Sequence, residues 1–290
     1  MNKQTTQKIT QYAQKAFLYE VLLSPKPGLV DRFNSGSHKD MDIYTFIEAI
    51  QALTPYFSEY LQIGFNHKES PKELFEKARL LGVDAEIAMM KATNDVNTHK
   101  GANFTFALVL SAVGYLLKEN QVALPFKQED TETLFRYVAH MSEGLVSKDF
   151  QDLERKEHLS YGEKLFKNYG ITGIRGVAEN GYPIIPQIAL PYLRTHLGNL
   201  PEYREEVFLH LLALIMSESE DTNLIHRGGI ESYRMVQSEA MLIYKKSTPL
   251  TIKEAFSEYD KILIQRHLSP GGAADLLALS FFIAQLEAIF

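Results

Sequence analysis

The chain has 290 residues, of which 45% are hydrophobic and none is cysteine, and its formal net charge is −6. This length and composition suffice to bury a large core as one helical domain or two closely packed lobes, which excludes a disordered or fibrous protein. The lack of cysteine excludes disulfides, thiolate metal sites and cysteine nucleophiles, and is consistent with a reducing compartment. The negative charge argues against a protein that coats nucleic acid, because such proteins need a basic stripe.

The N-terminal sequence MNKQTTQKITQYAQKAF has no apolar core followed by a small-residue cleavage site. We therefore expect no secretion signal and a cytoplasmic location. No segment is polar enough to be a clear linker between domains, so we expect residues 1–290 to form a single domain.

Helical periodicity begins near the N-terminus, where apolar residues recur at spacings of three and four. Glu20 follows the apolar Ile9 by eleven residues, or about three helical turns, so its carboxyl group points toward the core or a cleft. Further helices are predicted at 44–60, 71–93, 101–117, 131–144, 204–218, 232–244, 252–266 and 273–289. Because clear period-two strands are missing, the fold class predicted is all-α, a multi-helix bundle whose active site is lined by polar inter-helix loops.

Residues 101–117, GANFTFALVLSAVGYLL, carry no charge and could be taken for a transmembrane helix. Asn103, Thr105, Ser111 and Gly114 interrupt the apolar run, and no second such segment exists. We therefore predict a helix buried at the centre of the bundle and no membrane association.

The most loop-like stretches are 65–71, 120–130 and 170–201.

Five polar, glycine-marked clusters lie between the helices, at 24–42, 94–102, 170–181, 217–229 and 266–277. Ordinary turns need Gly, Pro, Asn or Asp, whereas these clusters also gather lysines, arginines, histidines and carboxylates. Most of them adjoin a strongly apolar helix. The pattern predicts loops that converge on one site.

In the first cluster, Asp31, Asp40 and Asp42 lie close in sequence to His38, and such a group can offer oxygen ligands to magnesium. The residues after them do not fit an EF-hand loop. A solvated acidic turn that caps the next helix explains the same residues, and this alternative stays open.

The second cluster contains Asn97, His99 and Lys100 immediately before the uncharged helix, so backbone N–H groups at a helix start lie next to a lysine. That combination suits phosphate, although the Walker A pattern is absent and a simple helix cap is the alternative. Glu86 precedes Asn97 by eleven residues, which places its carboxylate on the inward face of its helix and in line with this loop.

In the fourth cluster, Asp221 and Asn223 precede Arg227, Gly228 and Gly229. Arginine can bind phosphate in a bidentate manner, and glycine lets the backbone approach a ligand. A structural Asp–Arg pair near a glycine-terminated helix is equally compatible with the sequence.

The last cluster, Ser269, Gly271 and Gly272, opens a helix whose first turn holds Asp275. It can act as a cap or as a ligand group.

The clusters, taken in order, resemble the triphosphoribosyl-dephospho-CoA synthase family. The matching segments are PKPGLVDR at 25–32, GSHKDMD at 36–42, NTHKGA at 97–102, GIRG at 173–176, DTNLIHRGG at 221–229 and LSPGGAADLL at 268–277. The resemblance spans nearly the whole chain. It implies an all-helical enzyme that converts ATP and 3′-dephospho-CoA to the triphosphoribosyl derivative and free adenine, so that ATP is a pentosyl donor.

The resemblance also implies that the product passes to a holo-synthase, which attaches it to the acyl carrier subunit of citrate lyase or malonate decarboxylase, and we favour citrate lyase. The cofactor expected is Mg²⁺. The sequence leaves the oligomeric state open and is compatible with a homo-oligomer. It also leaves open a magnesium-dependent hydrolase of an ADP-ribosyl-type bond, a phosphotransferase, and a non-catalytic assembly factor of the lyase.

Breaking an N-glycosidic bond builds positive charge on the ribose, which a carboxylate stabilises. The catalytic candidates are Glu86, Asp31 and Asp221. The candidates for binding substrate and phosphate are Lys26, Arg32, His38, Asn97, His99, Lys100, Arg175, Asn223, Arg227, Gly228, Gly229, Ser269, Gly271 and Gly272. The candidates for holding the metal are Asp40, Asp42, Glu20 and Asp275.

Overall fold

The computed structural model describes residues 1–151, 153 and 158–290, and within these residues the protein is all-α, as predicted, with no β-strand. The helices are α1 (Lys3–Leu22), α2 (Ile43–Phe65), α3 (Pro71–Ala92), α4 (Lys100–Lys118), α5 (Gln128–Met141), α6 (Leu145–Asp149), α7 (Tyr161–Tyr169), α8 (Gly173–Glu179), α9 (Leu190–Asn199), α10 (Arg204–Glu218), α11 (Thr222–Lys246), α12 (Ile252–Gln265) and α13 (Gly271–Leu286). A π-helical segment, Ile185–Ala189, leads into α9, and a 3₁₀ turn, Pro201–Tyr203, leads into α10.

Two helices form the centre of the bundle. Helix α4 packs on α2, α3, α5 and α13, and nearly every side chain of α13 is buried. Helix α4 is long and apolar enough to cross a membrane, but 72% of its apolar window is buried inside the protein. The structure therefore agrees with a central core helix rather than a membrane span.

Helices α2 and α4 touch through glycines. A Cβ atom added to Gly64 would overlap the carbonyl of Ser111, and one added to Gly114 would overlap the carbonyl of Leu61. Only a residue without a side chain allows two backbones to approach this closely. This close packing fixes α4, and therefore the position at which it begins.

Local sequence signals set most helix starts. Ser70 and Glu73 form a reciprocal capping box with Pro71 at the first helical position of α3, and Asp42 caps α2 in the same manner with Thr45. The segment 66–70, which contains Ser70, connects α2 to α3, as its loop-like composition predicts.

The loop predicted at 170–201 is wrong for most of its length, because α8, the π-helical segment and α9 occupy it. Ala178, Tyr182, Ile185 and Leu193 of this segment are buried. Tertiary packing of these side chains outweighs the local signal of the glycines and prolines. Helix α11 also begins ten residues earlier than predicted, at Thr222, and contains a kink at Gly229.

Candidate active site

A cavity of about 570 Å³ lies where residues of all five polar clusters meet. Each cluster contributes lining groups: Lys26 and His38 from the first, Asn97 to Gly101 from the second, Ile174 from the third, Asn223 and Arg227 from the fourth, and Ser269 to Asp275 from the fifth. Glu20 of α1 completes the floor. We call this space the main cavity.

Three helices begin at the main cavity. The first two residues of α4 (Lys100, Gly101), of α11 (Thr222, Asn223) and of α13 (Gly271, Gly272) all line it. Backbone N–H groups in a first helical turn lack partners within the helix, and the helix dipole is positive at this end. The convergence of three such ends creates an environment suited to anionic groups such as phosphates.

The floor of the main cavity holds an ion pair between Glu20 and Lys26, and both side chains are almost fully buried. Burial raises the pKa of Glu20, and the adjacent ammonium group of Lys26 opposes that rise. The buried position of Glu20 agrees with its eleven-residue spacing from Ile9.

Asp31 holds the loop that carries Lys26, although it does not line the main cavity. Its Oδ2 accepts the backbone N–H of Lys26 at 2.9 Å, and its Oδ1 accepts those of Phe33 and Asn34 at 2.7 and 3.1 Å. Backbone N–H groups occupy both carboxylate oxygens of Asp31. Asp31 therefore affects the main cavity by holding Lys26 in place.

Asp275, the fifth residue of α13, projects against the start of α4. Its carboxylate accepts the N–H of Ala102, and a Cβ atom at Gly101 would overlap its Oδ2. Burial, together with the charges of Glu20 and Asp221, raises the pKa of Asp275 well above its ordinary value. A partly buried carboxyl group with two acidic neighbours gains stability from a cation or a proton.

Asp221 caps two helices at once. Its Oδ1 accepts the N–H groups of Asn223 and Leu224 in α11, and its Oδ2 accepts that of Ala273 in α13 at 3.1 Å. Burial raises the pKa of Asp221 to about 6 against these hydrogen bonds. Asp221 therefore lies behind the lining of the main cavity and sets the relative positions of two of the helix starts.

His99 is only 3% exposed and lines the main cavity, yet neither ring nitrogen has a hydrogen-bond partner among the described residues. Phe17 and Phe46 pack edge-on against the imidazole, with ring centroids 4.9 and 4.8 Å away. Burial and the charge of Lys26 lower the pKa of His99 to about 3. The ring is therefore neutral at physiological pH and suited to a hydrogen bond with a neutral polar group rather than to charge pairing with phosphate.

His38 lies between Arg227 and Ser269 at the edge of the main cavity. Arg227 Nη2 donates to His38 Nδ1 at 2.9 Å, which leaves Nε2–H to donate to Ser269 Oγ, also at 2.9 Å. Burial and the Arg227 charge lower the pKa of His38 to about 4. Because Nε2 already carries a proton in this tautomer, His38 cannot take one from Ser269. The pair is therefore not an activated serine nucleophile. It leaves the Ser269 hydroxyl hydrogen available to a ligand.

A second, smaller cavity of about 250 Å³ adjoins the main one, and we call it the side cavity. The two share Lys100, Gly101 and Ile174 as a common wall. Glu86 lines the side cavity and accepts a hydrogen bond from Lys100 Nζ at 2.6 Å. Both side chains are partly exposed, so Glu86 lies at the junction of the two cavities rather than in the core.

Arg175 also lines the side cavity, away from the other residues expected to bind phosphate. Its Nε donates to Asp149 Oδ2 at 2.7 Å, and Arg79 makes two further bonds to the same carboxylate, each of 3.1 Å. The two guanidinium groups therefore share one carboxylate, whose pKa they lower against the effect of its partial burial.

The remaining residues predicted from sequence lie at the rim or outside both cavities. Asp40 lines the rim of the main cavity and is largely exposed, whereas Asp42 is the exposed N-cap of α2. Arg32 pairs with Glu205 on the surface. Gly228 packs close to Leu268 and Ser232, and Gly229 forms the α11 kink with φ of 78°.

Comparison with known proteins decides the family. The family described as CitG, ATP:dephospho-CoA triphosphoribosyl transferase, matches residues 6–290. The chain belongs to this family. Relatives named probable 2-(5′′-triphosphoribosyl)-3′-dephosphocoenzyme-A synthase include proteins of Streptococcus equi subsp. zooepidemicus (47% identical, 99% of each chain covered) and Streptococcus mutans (45% identical, 98% of each chain covered). No solved structure matches the chain.

Membership of the CitG family makes the chain an enzyme and confirms the resemblance drawn from its motifs. The buried residues of this CitG chain fit a divalent cation, because Glu20 and Asp275 face the main cavity with raised pKa values. No group of three or more Asp, Glu or His side chains able to hold a metal occurs among the described residues. Magnesium commonly takes only one or two carboxylates and completes its shell with water and substrate phosphates, which matches this arrangement.

Sequence reasoning missed Arg79, Asp149 and Thr98. Arg79 lies in the middle of α3, far in sequence from any glycine-marked cluster, and Asp149 ends the unpredicted helix α6. Thr98 lines the main cavity with a buried hydroxyl group that has no hydrogen-bond partner in residues 1–151, 153 and 158–290. Its place inside NTHKGA is a signal that could have singled it out.

Proposed function

We propose that this enzyme transfers the triphosphoribosyl group of ATP to the 2′-hydroxyl of 3′-dephospho-CoA and releases adenine. The observation that carries the proposal is the main cavity, where the starts of α4, α11 and α13 surround the carboxylates of Glu20 and Asp275. Helix starts favour the triphosphate, and carboxylates favour the positive charge that develops on the ribose. The names and full-length similarity of the relatives support the same reaction.

The proposed reaction exchanges one bond for another at C1 of the ATP ribose. The C1–N9 bond breaks with its electron pair going to adenine, and the 2′-oxygen of dephospho-CoA forms a new bond to C1. The hydroxyl proton goes to a base, and adenine takes up one proton, so charge and atoms balance. The triphosphate stays on the transferred ribose throughout.

We assign the triphosphate to the three helix starts, with Lys26, Lys100 and Arg227 as its cationic partners. Lys26 fits the part nearest the floor because it is buried, whereas Lys100 and Arg227 are exposed at the edge. Electrostatic groups buried in a site act more strongly than those in water. We therefore expect Lys26 to contribute most to orientation and the two outer cations to contribute most to capture.

We assign Asp275 and Glu20 to the metal and to the reacting ribose. Bound Mg²⁺ would neutralise phosphate charge, and Asp40 at the rim of the main cavity is a further candidate ligand. Glu86 is our candidate for the carboxylate that stabilises the ribose cation from the junction of the two cavities. Asp221 and Asp31 would then position these groups, because their oxygens are already engaged by backbone N–H donors.

His99 and Thr98 are suited to a neutral part of the substrates. Both line the main cavity, and both have buried polar atoms to which no other residue of the described chain is hydrogen-bonded. Unpaired buried polar atoms are costly, so a ligand that bonds to them recovers that cost. A ribose hydroxyl or an adenine ring nitrogen has the required chemistry.

We further infer a cytoplasmic enzyme, whose product passes to a holo-synthase for the acyl carrier protein of citrate lyase. The central position of α4 in the core, rather than on the surface, supports a protein that needs no membrane. The substrates ATP and dephospho-CoA are intracellular metabolites, which supports the cytoplasmic location. Measurement of the enzyme's mass in solution tests whether it is a homo-oligomer.

The test is a reaction of the purified enzyme with magnesium, ATP and 3′-dephospho-CoA, analysed by chromatography and mass spectrometry. We expect adenine and the coupled triphosphoribosyl product in equal amounts. Adenine together with free ribose triphosphate would indicate hydrolysis instead. Formation of ADP or AMP without adenine would overturn the proposal in favour of phosphoryl or nucleotidyl transfer.

A further inference from the structure

The side cavity differs in chemistry from the main one. Its wall is largely apolar, formed by small and aliphatic side chains of α3 and α4 together with Phe104 and Leu145. Its charged groups are Arg79 and Arg175 on Asp149, and Lys100 on Glu86. Three cations face two carboxylates, so the charged side of an otherwise apolar cavity carries a net positive charge.

Within the part of the chain that the structure describes, no helix of eight or more residues begins at the side cavity except α4, which forms the wall shared with the main cavity. A triphosphate would therefore find fewer backbone donors here than in the main cavity. The uncharged adenine of ATP would offer no anionic group to the two guanidinium groups. A ligand with an apolar body and a diphosphate uses both features, because guanidinium groups match phosphate oxygens in geometry.

We propose that the side cavity is the acceptor site, and that it holds the adenosine end of 3′-dephospho-CoA with the pyrophosphate against Arg79 and Arg175. The inference rests on the proposed function. The shared wall at Lys100 and Gly101 is a single turn of α4, so an acceptor ribose beside it lies next to the donor ribose in the main cavity. The 2′-hydroxyl then meets C1 at the junction, where Glu86 also lies.

Arg175 is held in place for this role by stacked aromatic rings. Its guanidinium carbon lies 5.4 Å from the centroid of the Phe150 ring, and Phe150 stacks on Phe166 with centroids 4.3 Å apart. A guanidinium group fixed by stacking and by Asp149 loses little entropy when it binds phosphate.

Helix α3 offers a matched pair of variants for the test. Leu80 and Val83 are both exposed apolar residues of α3, but only Val83 lines the side cavity. A glutamate at either position is tolerated on an exposed helical surface, and only Val83→Glu places a negative charge beside the expected pyrophosphate. We expect Val83→Glu to weaken binding of 3′-dephospho-CoA about 5- to 10-fold at low salt. Leu80→Glu should leave it unchanged.

A second variant removes a cation. Arg79→Gln should weaken 3′-dephospho-CoA binding about 10-fold, the scale of a lost hydrogen bond to a charged group, while Arg79→Lys recovers part of the loss. Lys77→Gln is the control, because Lys77 lies on the same helix as Arg79, pairs with Glu69 of the preceding connection and lines neither cavity. Melting temperature checks that each variant is folded.

The measurements are titration calorimetry with 3′-dephospho-CoA and separately with Mg-ATP, and the KM of each substrate. Loss of 3′-dephospho-CoA affinity with ATP affinity changed less than twofold supports the acceptor site. Variants that weaken ATP instead, or neither ligand, overturn it. Failure of the wild-type enzyme to bind 3′-dephospho-CoA or to form the coupled product refutes the proposed function itself, which is a distinguishable result.

Discussion

The carboxylate of Asp275 lies directly against the α-carbon of Gly101, so that this side chain from near the start of α13 packs on the first turn of α4. The N–H of Ala102 donates to the same carboxylate. Gly101 is therefore required by the close approach of Asp275, not by its own backbone conformation. The contact places an acidic group of one helix at the positive end of another.

Gly101→Ala should displace Asp275 and lower kcat at least about 10-fold. The added methyl group overlaps Oδ2, and overpacking of this kind costs about 1–3 kcal/mol of stability. Gly198→Ala is the matched control, because Gly198 also lies in a helix but has open space around its α-carbon. The control should be as active as the wild type and equally or more stable. A fully active Gly101→Ala enzyme would remove Asp275 from the proposed site.

His99→Phe should separate binding from stability. Phenylalanine fills a similar space between Phe17 and Phe46 and removes two buried nitrogen atoms that lack partners. The free energy of unfolding at pH 7 should therefore be equal to or higher than that of the wild type. Activity should fall at least about 10-fold, because the ligand loses its hydrogen bond. A destabilised variant with normal turnover would show that His99 serves the core alone.

Asp221 should make stability depend on pH in a direction opposite to that of most carboxylates. Burial raises its pKa to about 6, so the folded protein holds the proton more tightly than the unfolded chain. Its stabilising contribution is present below about pH 4 and is lost as the pH rises through about 6. The loss is on the order of 3 kcal/mol, at 1.36 kcal/mol for each pKa unit.

The measurement for Asp221 is urea unfolding of the wild type and Asp221→Asn between pH 4 and 8, in the presence of a chelator. The stability of the wild type minus that of the variant should decrease as the pH rises from about 4 to about 6. Taking the difference cancels the titration of carboxylates that do not interact with Asp221. A difference that stays constant over this range contradicts a raised pKa at Asp221.

Much of the bundle could be predicted because its helices carry their own signals. The apolar stripe of α1 and the capping box of α3 are local patterns, and the burial of Glu20 follows from spacing alone. The helix at Gly173–Glu179 could not be predicted in this manner, because its glycine-rich sequence folds only through contacts with distant helices.

The grouping of the polar clusters could be predicted from composition, but the roles of individual carboxylates could not. Asp31 and Asp275 look equivalent in sequence, yet backbone N–H groups occupy the oxygens of Asp31 while Asp275 faces the main cavity. That difference depends on which backbone donors surround each carboxylate after folding. The role of Arg79 could not be predicted for the same reason, since only the folded chain brings it to Asp149 and Arg175.

Glu86 and Lys100 form an ion pair at the junction of the two cavities, and we expect their variants to fail differently. Lys100→Ala should chiefly weaken ATP binding, by about 1.5–3 kcal/mol, because the lysine acts through charge on phosphate. Turnover at saturating ATP should partly survive. Glu86→Gln keeps the shape of the side chain but removes a charge that matters most when the ribose becomes cationic, so kcat should fall strongly while ATP binding changes less.

The pair Glu76 and Lys148 provides the matched control for Glu86 and Lys100. It also joins α3 to another helix with an Nζ–Oε1 distance of 2.6 Å and partly exposed side chains, but it lines neither the main nor the side cavity. Exposed ion pairs contribute about 0–1 kcal/mol, so Glu76→Gln and Glu86→Gln should have similar melting temperatures. Only Glu86→Gln should lose turnover. Measurement of kcat, KM and melting temperature on both variants decides the role, and a fully active Glu86→Gln enzyme would eliminate Glu86 as a catalytic residue.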